Sequence, residues 1–115
     1  MLNSEKSDIK ESQLSIATTI TIHIGDNFTL SSDGEPTAQV RADGKVALNN
    51  VTQLDSKVFI DIDDDRVAET MVPAQGKVSL NVIGFAKGSG AYQLTVEGTD
   101  ADGDKRHGTL TFSVV

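Results

Sequence analysis

Cysteine and tryptophan are absent from this sequence of 115 residues, and proline occurs only twice. Without cysteine the chain cannot form a disulfide scaffold or a thiolate zinc site. No run of apolar residues approaches the 18 that a transmembrane helix requires. Residues 1–15 also lack the charged and then apolar layout of a secretory signal peptide. The sequence therefore predicts neither a disulfide-stabilised miniprotein nor a chain that crosses a membrane as a helix.

Basic residues are in the minority, because 10 Lys and Arg stand against 17 Asp and Glu and give a net charge of −7. Nucleic acids and anionic membranes are bound through a basic face. The charge balance therefore argues against both as partners. The length is that of one domain, which is enough for one modest hydrophobic core.

The chain divides into a polar arm and a patterned domain. Residues 1–13 are polar and mixed in charge, with Leu2 and Ile9 among their few apolar side chains, and are predicted to form a flexible N-terminal arm. Residues 14–115 alternate apolar and polar with a period of two, which is typical of half-buried strands. The inward positions are predicted to include Ile20, Ile22, Ile24, Val58, Ile60, Ile62, Val78, Leu80, Val82, Tyr92, Leu94, Val96, Leu110, Phe112 and Val114.

Two hairpins are predicted from this pattern. A three-residue loop at Asp43-Gly44-Lys45 would place the apolar residues of 38–42 and 46–48 on one face, with Gly44 at positive φ. In the second hairpin, a register centred on Gly103 pairs Val96 with Leu110, and its cross-strand apolar pairs support the assignment. The pattern gives about seven to nine short strands, each with one face exposed to solvent. Such strands predict an all-β antiparallel sandwich rather than a barrel.

The segment Gly88-Ser89-Gly90-Ala91-Tyr92-Gln93-Leu94 resembles the tyrosine corner of immunoglobulin-like domains, with Tyr92 at the corner and Leu94 at the adjacent core position. The acidic residue often found four positions before the tyrosine is replaced by Gly88. The following residues, 92–103, resemble the last hairpin of bacterial and phage immunoglobulin-like modules. The resemblance implies an immunoglobulin-like β-sandwich with a structural or adhesive role on a cell surface or virion.

We therefore expect a non-catalytic module, and most specifically a phage decoration or tail accessory protein. Residues 1–13 and one end of the sandwich would dock on a capsid or tail assembly, and the chain would lie on the virion surface or outside the cell. One alternative is a calcium-stabilised repeat of a secreted bacterial adhesin. Another is a carbohydrate-binding module, which is less favoured because Trp is absent. No catalytic constellation is recognisable, and we expect no enzyme.

Two acidic clusters are the only candidates for a metal site. Asp61, Asp63 and Asp65 alternate in one cluster, and Asp100, Asp102 and Asp104 alternate in the other. Calcium takes six to eight oxygen ligands, so each trio offers a partial set. The alternative is turn chemistry, since Asp side chains cap tight turns through the local backbone. Beyond Ca²⁺ no cofactor is predicted.

Phe59 and Phe85 fall off the core pattern and are interface candidates, together with Leu2 and Ile9, because exposed aromatic residues are enriched at protein interfaces. The alternative is that both rings pack under loops or against the N-terminal arm. His23 and His107 are predicted to be surface residues. Asn27 and Asn50 are interpreted as turn residues.

Overall fold

The computed structural model describes residues 17–32, 38–85 and 87–115 of the chain. These residues form eight strands, namely β1 (Ala17–Ile24), β2 (Leu30–Ser32), β3 (Ala38–Asn50), β4 (Ser56–Ile62), β5 (Asp65–Val72), β6 (Lys77–Asn81), β7 (Gly90–Thr99) and β8 (Lys105–Val114). Two single 3-10 turns, Asp26–Phe28 and Val82–Gly84, are the helical elements of this part of the chain. None of its helices is long and apolar enough to span a bilayer. The predicted arm, with Leu2 and Ile9, lies outside the described residues.

The strands form two groups that share β3. Residues 45–50 of β3 pair with β1 and β6, and β2 pairs with the other side of β1. Residues 38–40 of β3 pair with β8, from which the ladder continues through β7 and β4 to β5. The inward side chains of both groups meet in one hydrophobic cluster. This is the two-layer arrangement of a β-sandwich.

The chain reverses direction within β3. Residues 38–40 run parallel to β8 toward its end at Val114. Residues 45–50 run toward the opposite end, where the Asn50 side chain contacts the carbonyl of Val72 beside the start of β4. Residues 41–44 therefore carry the chain from one sheet to the other.

The predicted hairpin at Asp43-Gly44-Lys45 is wrong in its pairing, because the segments on either side of the turn join different sheets. Ala42 is accordingly exposed, although Val40 and Val46 are buried as predicted. Gly44 does not adopt the expected positive φ. It is required for close approach instead, since a Cβ there would collide with the carbonyl oxygens of Thr18 and Arg41.

The sandwich has two ends that differ in what they display. At the end where β1 begins, called here the entry end, Ala17 pairs with Val40, and the Val115 backbone bonds to Val40 and Ala42. The entry end also contains residues 63–64, 82–84 and 87–90. The opposite end, called the far end, contains residues 25–29, 51–55, 73–76 and 100–104.

The core follows the predicted alternation. Of the predicted inward positions, twelve are buried and Val78, Leu80 and Leu110 are half-buried. The fold is that of an immunoglobulin-like β-sandwich, so the predicted class is confirmed. Most strand pairs are antiparallel, but β3 is parallel to both β1 and β8, which the alternation of side chains does not reveal.

The register of the β7–β8 hairpin differs from the prediction by two residues. Leu94 lies opposite Leu110 and Val96 lies opposite Gly108, so the turn is centred on Asp102 rather than Gly103. The cause is local, because one Asp100 carboxylate oxygen accepts the backbone N–H groups of Asp102 and Asp104 and closes the loop early. A shift of two residues leaves every side chain on its predicted face.

Candidate functional site

The tyrosine corner forms as the resemblance implied. The Tyr92 hydroxyl donates a hydrogen bond to the backbone carbonyl of Gly88. Since the acceptor belongs to the backbone, the missing acidic side chain does not weaken the corner. The ring is fully buried and stacks on Phe112 with centroids 5.5 Å apart. Burial raises the pKa of the Tyr92 phenol above its ordinary value.

Phe85 is not an exposed interface residue, and that prediction is wrong. Its ring is buried and lies 5.2 Å from the Tyr92 ring, centroid to centroid, at an angle of 49°. The alternation of inward and outward residues along β6 does not predict the burial of Phe85, because the 3-10 turn Val82–Gly84 separates the strand from this residue. The alternative that the ring packs beneath a loop describes Phe85 correctly.

Phe59 lies on the outer face of its sheet, as the alternation along β4 predicts, but its ring is covered and not exposed to solvent. Only 7% of the residue is exposed. The Arg66 guanidinium lies 3.9 Å from the ring centroid and the Lys57 ammonium lies 5.2 Å from it. Salt bridges from Arg66 to Asp61 and from Lys57 to Glu69 hold these cations in place. A partner therefore meets charged side chains here before it reaches the ring.

The first acidic cluster forms a hairpin turn. Asp63 and Asp64 have φ angles of 52° and 65° and link β4 to β5 as a two-residue loop, the geometry for which Asp and Asn are favoured. Asp61 pairs with Arg66, and Asp65 pairs with Lys87 at 2.9 Å. The hydrogen bond that Lys87 donates to the Asp65 carboxylate raises the pKa of Lys87.

The second cluster closes the β7–β8 loop around Asp100. Its Oδ1 accepts the backbone N–H groups of Asp102 and Asp104 at 3.0 and 2.9 Å, and its Oδ2 lies 2.7 Å from Arg106 Nε. The hydrogen bond from Arg106, and then the one from the Asp104 N–H, lowers the pKa of Asp100. No three acidic or imidazole side chains converge on a metal position in the part of the chain that the structure describes. Turn hydrogen bonds and ion pairs account for the geometry of both loops.

The sequence did not reveal a buried polar network at the far end. Asn50 is only 1% exposed, and its Nδ2 lies 2.7 Å from the Leu54 carbonyl, 3.1 Å from that of Val72 and 3.2 Å from that of Pro73. Its Oδ1 accepts the N–H and hydroxyl of Thr52. The Asn-x-Thr spacing signals the local turn, but the contacts to residues 72 and 73 depend on the tertiary fold.

Four large apolar residues are exposed in the described ranges, and two of them lie at the entry end. Ile83 is 76% exposed and Val115 is 48% exposed. Val51 is exposed at the far end, and Met71 is exposed on the outer face of β5. Together with the exposed Ala42, Ile83 and Val115 define the entry-end apolar patch.

A polar groove lies on the outer face of the β7–β8 hairpin toward the far end. Its volume is about 410 Å³, and its lining includes Thr95, Glu97, Thr99, Lys105, Arg106 and His107. In the register of the two strands, Glu97 lies opposite His107 and Thr99 lies opposite Lys105. His107 is exposed, as predicted, and His23 is half-buried on β1 with its Nδ1 3.1 Å from Asn49 Nδ2.

No protein-family model and no curated protein matches the chain. Among solved structures, the chain is similar to a bacterial immunoglobulin-like domain from the M. primoryensis ice-binding adhesin. The two share 21% sequence identity, and the match covers 87% of this chain and 99% of the other, with a TM-score of 0.42. The fold described above rests on the strand pairings and the tyrosine corner rather than on this likeness.

Proposed function

We propose that the chain is a non-catalytic module that docks on a larger protein assembly through its entry end, as a decoration or tail accessory protein of a virion. The observation that supports this proposal most directly is the exposure of Ile83, the most exposed large apolar residue of the described ranges. Large apolar side chains left in water cost free energy, and when fixed at one end of a domain they are typical of interaction sites.

The position of Ile83 is rigid rather than a consequence of a loose loop. It lies in the 3-10 turn Val82–Gly84, and the preceding Val82 and the following Phe85 are both buried. The backbone N–H of Phe85 also donates to the Val82 carbonyl at 2.9 Å. A side chain displayed between two core residues is pre-organised for contact and loses little entropy on binding.

Strand addition at a sheet edge is less well supported as a docking mode. The β5 edge contains a register shift opposite Ile60 and Asp61, β2 has only three residues, and β6 has five and begins with a lysine. Bulges, short edge strands and edge lysines are devices by which proteins prevent strand addition. The entry-end patch therefore offers the better contact surface.

The described part of the chain begins at this same end, because Ala17 of β1 pairs with Val40, which bonds to Val115. An arm of residues 1–13 and the entry-end patch would thus contact one partner.

The proposal is tested by the composition of virus particles purified from the source of the chain. Quantitative mass spectrometry after a density gradient should find the chain at a fixed ratio to a major capsid or tail protein. The ratio should survive a second gradient, and a non-structural phage protein serves as the control for carry-over. Absence of the chain from the particles, or a ratio that falls with each gradient, would overturn the proposal.

A further inference from the structure

The turn between β1 and β2 holds Phe28 in a backbone conformation that is unusual for a bulky side chain. Asn27 and Phe28 are the central residues of the turn from Asp26 to Thr29, which is closed by the bond from the Thr29 N–H to the Asp26 carbonyl at 3.3 Å. Their φ angles are 59° and 60°. Positive φ at both central residues is typical of a type I′ turn, whose second central position is usually glycine. Phenylalanine is strained there, so another contact must hold it in place.

That contact is a notch formed by two glycines of the β7–β8 hairpin. Phe28 is only 1% exposed. A Cβ at Gly98 would collide with the Phe28 ring, and a Cβ at Gly108 would collide with the Phe28 carbonyl oxygen. Both glycines lie on the core-facing side of the hairpin, because Gly108 is opposite Val96 and Gly98 is two residues further along β7. The space at these two positions, called here the Phe28 notch, therefore exists only because both residues lack a side chain.

The hydrogen bonds of the turn are internal to it. Among the described residues, the Gly25 N–H donates to the Thr29 carbonyl at 2.8 Å, and the Phe28 N–H donates to the Gly25 carbonyl at 3.0 Å. The Thr29 hydroxyl donates to the Asp26 carbonyl, also at 3.0 Å. None of these bonds has to break if residues 25–29 move as a unit. The seating of Phe28 in the notch is therefore the principal link between the turn and the opposite sheet.

The turn also has free space on its other side. A cleft of about 210 Å³ lies between residues 26–28 and a wall that includes Thr52, Leu54 and Ala101. Closely packed neighbours resist movement, whereas a segment that borders an open cleft can move without displacing them. The far-end loops therefore leave room for the turn to swing away from the hairpin.

We propose that residues 25–29 are a conformational latch, which opens as a unit while the rest of the sandwich stays folded. In the open form Phe28 leaves its notch, and the apolar surface around Val96 becomes accessible at the far end. Relief of the strained turn offsets part of the cost of exposing the ring, so this opening requires less free energy than global unfolding. The latch lies at the end opposite the entry-end patch, and its failure would leave the proposed docking role untouched.

The test is thiol labelling, because the chain has no cysteine of its own. Val96→Cys places a thiol beneath the latch, and Val40→Cys is the matched control, since both valines are fully buried and Val40 lies at the entry end. Each labelling rate is corrected for the free energy of unfolding of its own variant. Val96→Cys should react about tenfold faster than the control or more, and its rate should rise less steeply with urea, because a local opening exposes less surface. Equal corrected rates with the same urea dependence would overturn the latch.

A second substitution tests whether the Phe28 notch keeps the latch closed. Gly98→Ala, added to Val96→Cys, should raise the labelling rate about tenfold more, because the new methyl group occupies the place of the Phe28 ring. Gly84→Ala is the control, since a Cβ at Gly84 meets no atom within 4 Å. Equal rates in the two alanine variants would overturn the role of the notch. If circular dichroism shows that the Gly98→Ala variant does not fold, the comparison of the two cysteine variants still decides the proposal.

Discussion

The Tyr92 hydroxyl binds the backbone carbonyl of Gly88, four residues earlier in the chain. This bond joins the core of β7 to residues 87–90 at the entry end, where Gly88 adopts a φ of 72°. Phe85, which lies just before that loop, packs on the same tyrosine ring. The corner therefore also fixes the segment from which Ile83 is displayed, and it connects the stability of the core to the proposed docking surface.

Replacement of Tyr92 by Phe should destabilise the fold by about 1–2 kcal/mol, because it removes one buried hydrogen bond and keeps the ring contacts. The midpoint of urea unfolding should fall while the slope stays unchanged. Since burial raises the pKa of Tyr92, its contribution is complete below the unfolded-state value near 10 and is lost as pH rises through the folded-state value. The Tyr92→Phe variant should not lose stability in this alkaline range. Equal stability of the variant and the wild type at pH 7 would contradict the role of the tyrosine corner.

Asn50→Ala should destabilise the protein by about 2–4 kcal/mol, because several buried carbonyl groups lose their donor at once. Asn81→Ala is the matched control, since Asn81 is exposed at the end of β6. Thermal unfolding of both variants measures the difference. A loss no greater than that of the control would show that the far-end network contributes little.

Asp100→Asn should lower the melting temperature at neutral pH, because it removes the ion pair with Arg106. The folded-state pKa of Asp100 is lowered, so its contribution is present above the unfolded-state value near 3.9 and is lost as pH falls through the folded-state pKa. The difference between variant and wild type should therefore shrink as pH falls below about 4. Asp102→Asn is the control, because among the residues that the structure describes the Asp102 side chain forms no hydrogen bond or ion pair. A difference between Asp100→Asn and wild type that does not depend on pH would contradict the account.

Calcium should not stabilise the protein specifically. In the described residues the trios Asp61, Asp63, Asp65 and Asp100, Asp102, Asp104 do not converge. Three of the six carboxylates, those of Asp61, Asp65 and Asp100, are instead in ion pairs. A ligand that bound only the folded state would stabilise it by about 2.7 kcal/mol at one hundred times its dissociation constant. Scanning calorimetry in millimolar CaCl₂, against chelator with MgCl₂ at equal ionic strength, should show matching melting temperatures. A rise that only calcium produces would restore the calcium hypothesis.

The alternation of apolar residues was sufficient to predict the fold class and most of the core, because the period of two determines which face each side chain occupies. It could not determine strand partners. Residues 41–44 illustrate this, since the pattern alone does not distinguish a hairpin from a turn that passes between sheets. The register of the last hairpin was likewise decided by hydrogen bonds of the Asp100 side chain.

The interface candidates show a second reason for incomplete prediction. Phe85 has the wrong parity for a strand but follows a 3-10 turn, and its ring reaches the core from there. Phe59 does point outward, yet long charged side chains from neighbouring strands cover it. The exposure of Ile83 cannot be predicted from the sequence, because an isolated apolar residue next to a strand end carries no periodic signal of exposure.

The most direct test of the docking account is a binding titration on particles that lack the chain. Fluorescently labelled wild type should bind saturably, and Met71→Asp, which changes an exposed apolar residue on the outer face of β5, should bind with nearly the same affinity. Ile83→Asp should bind about tenfold more weakly or worse, because the contact loses a buried apolar side chain and gains a desolvated charge. Equal affinity of the two variants would contradict docking through the entry end.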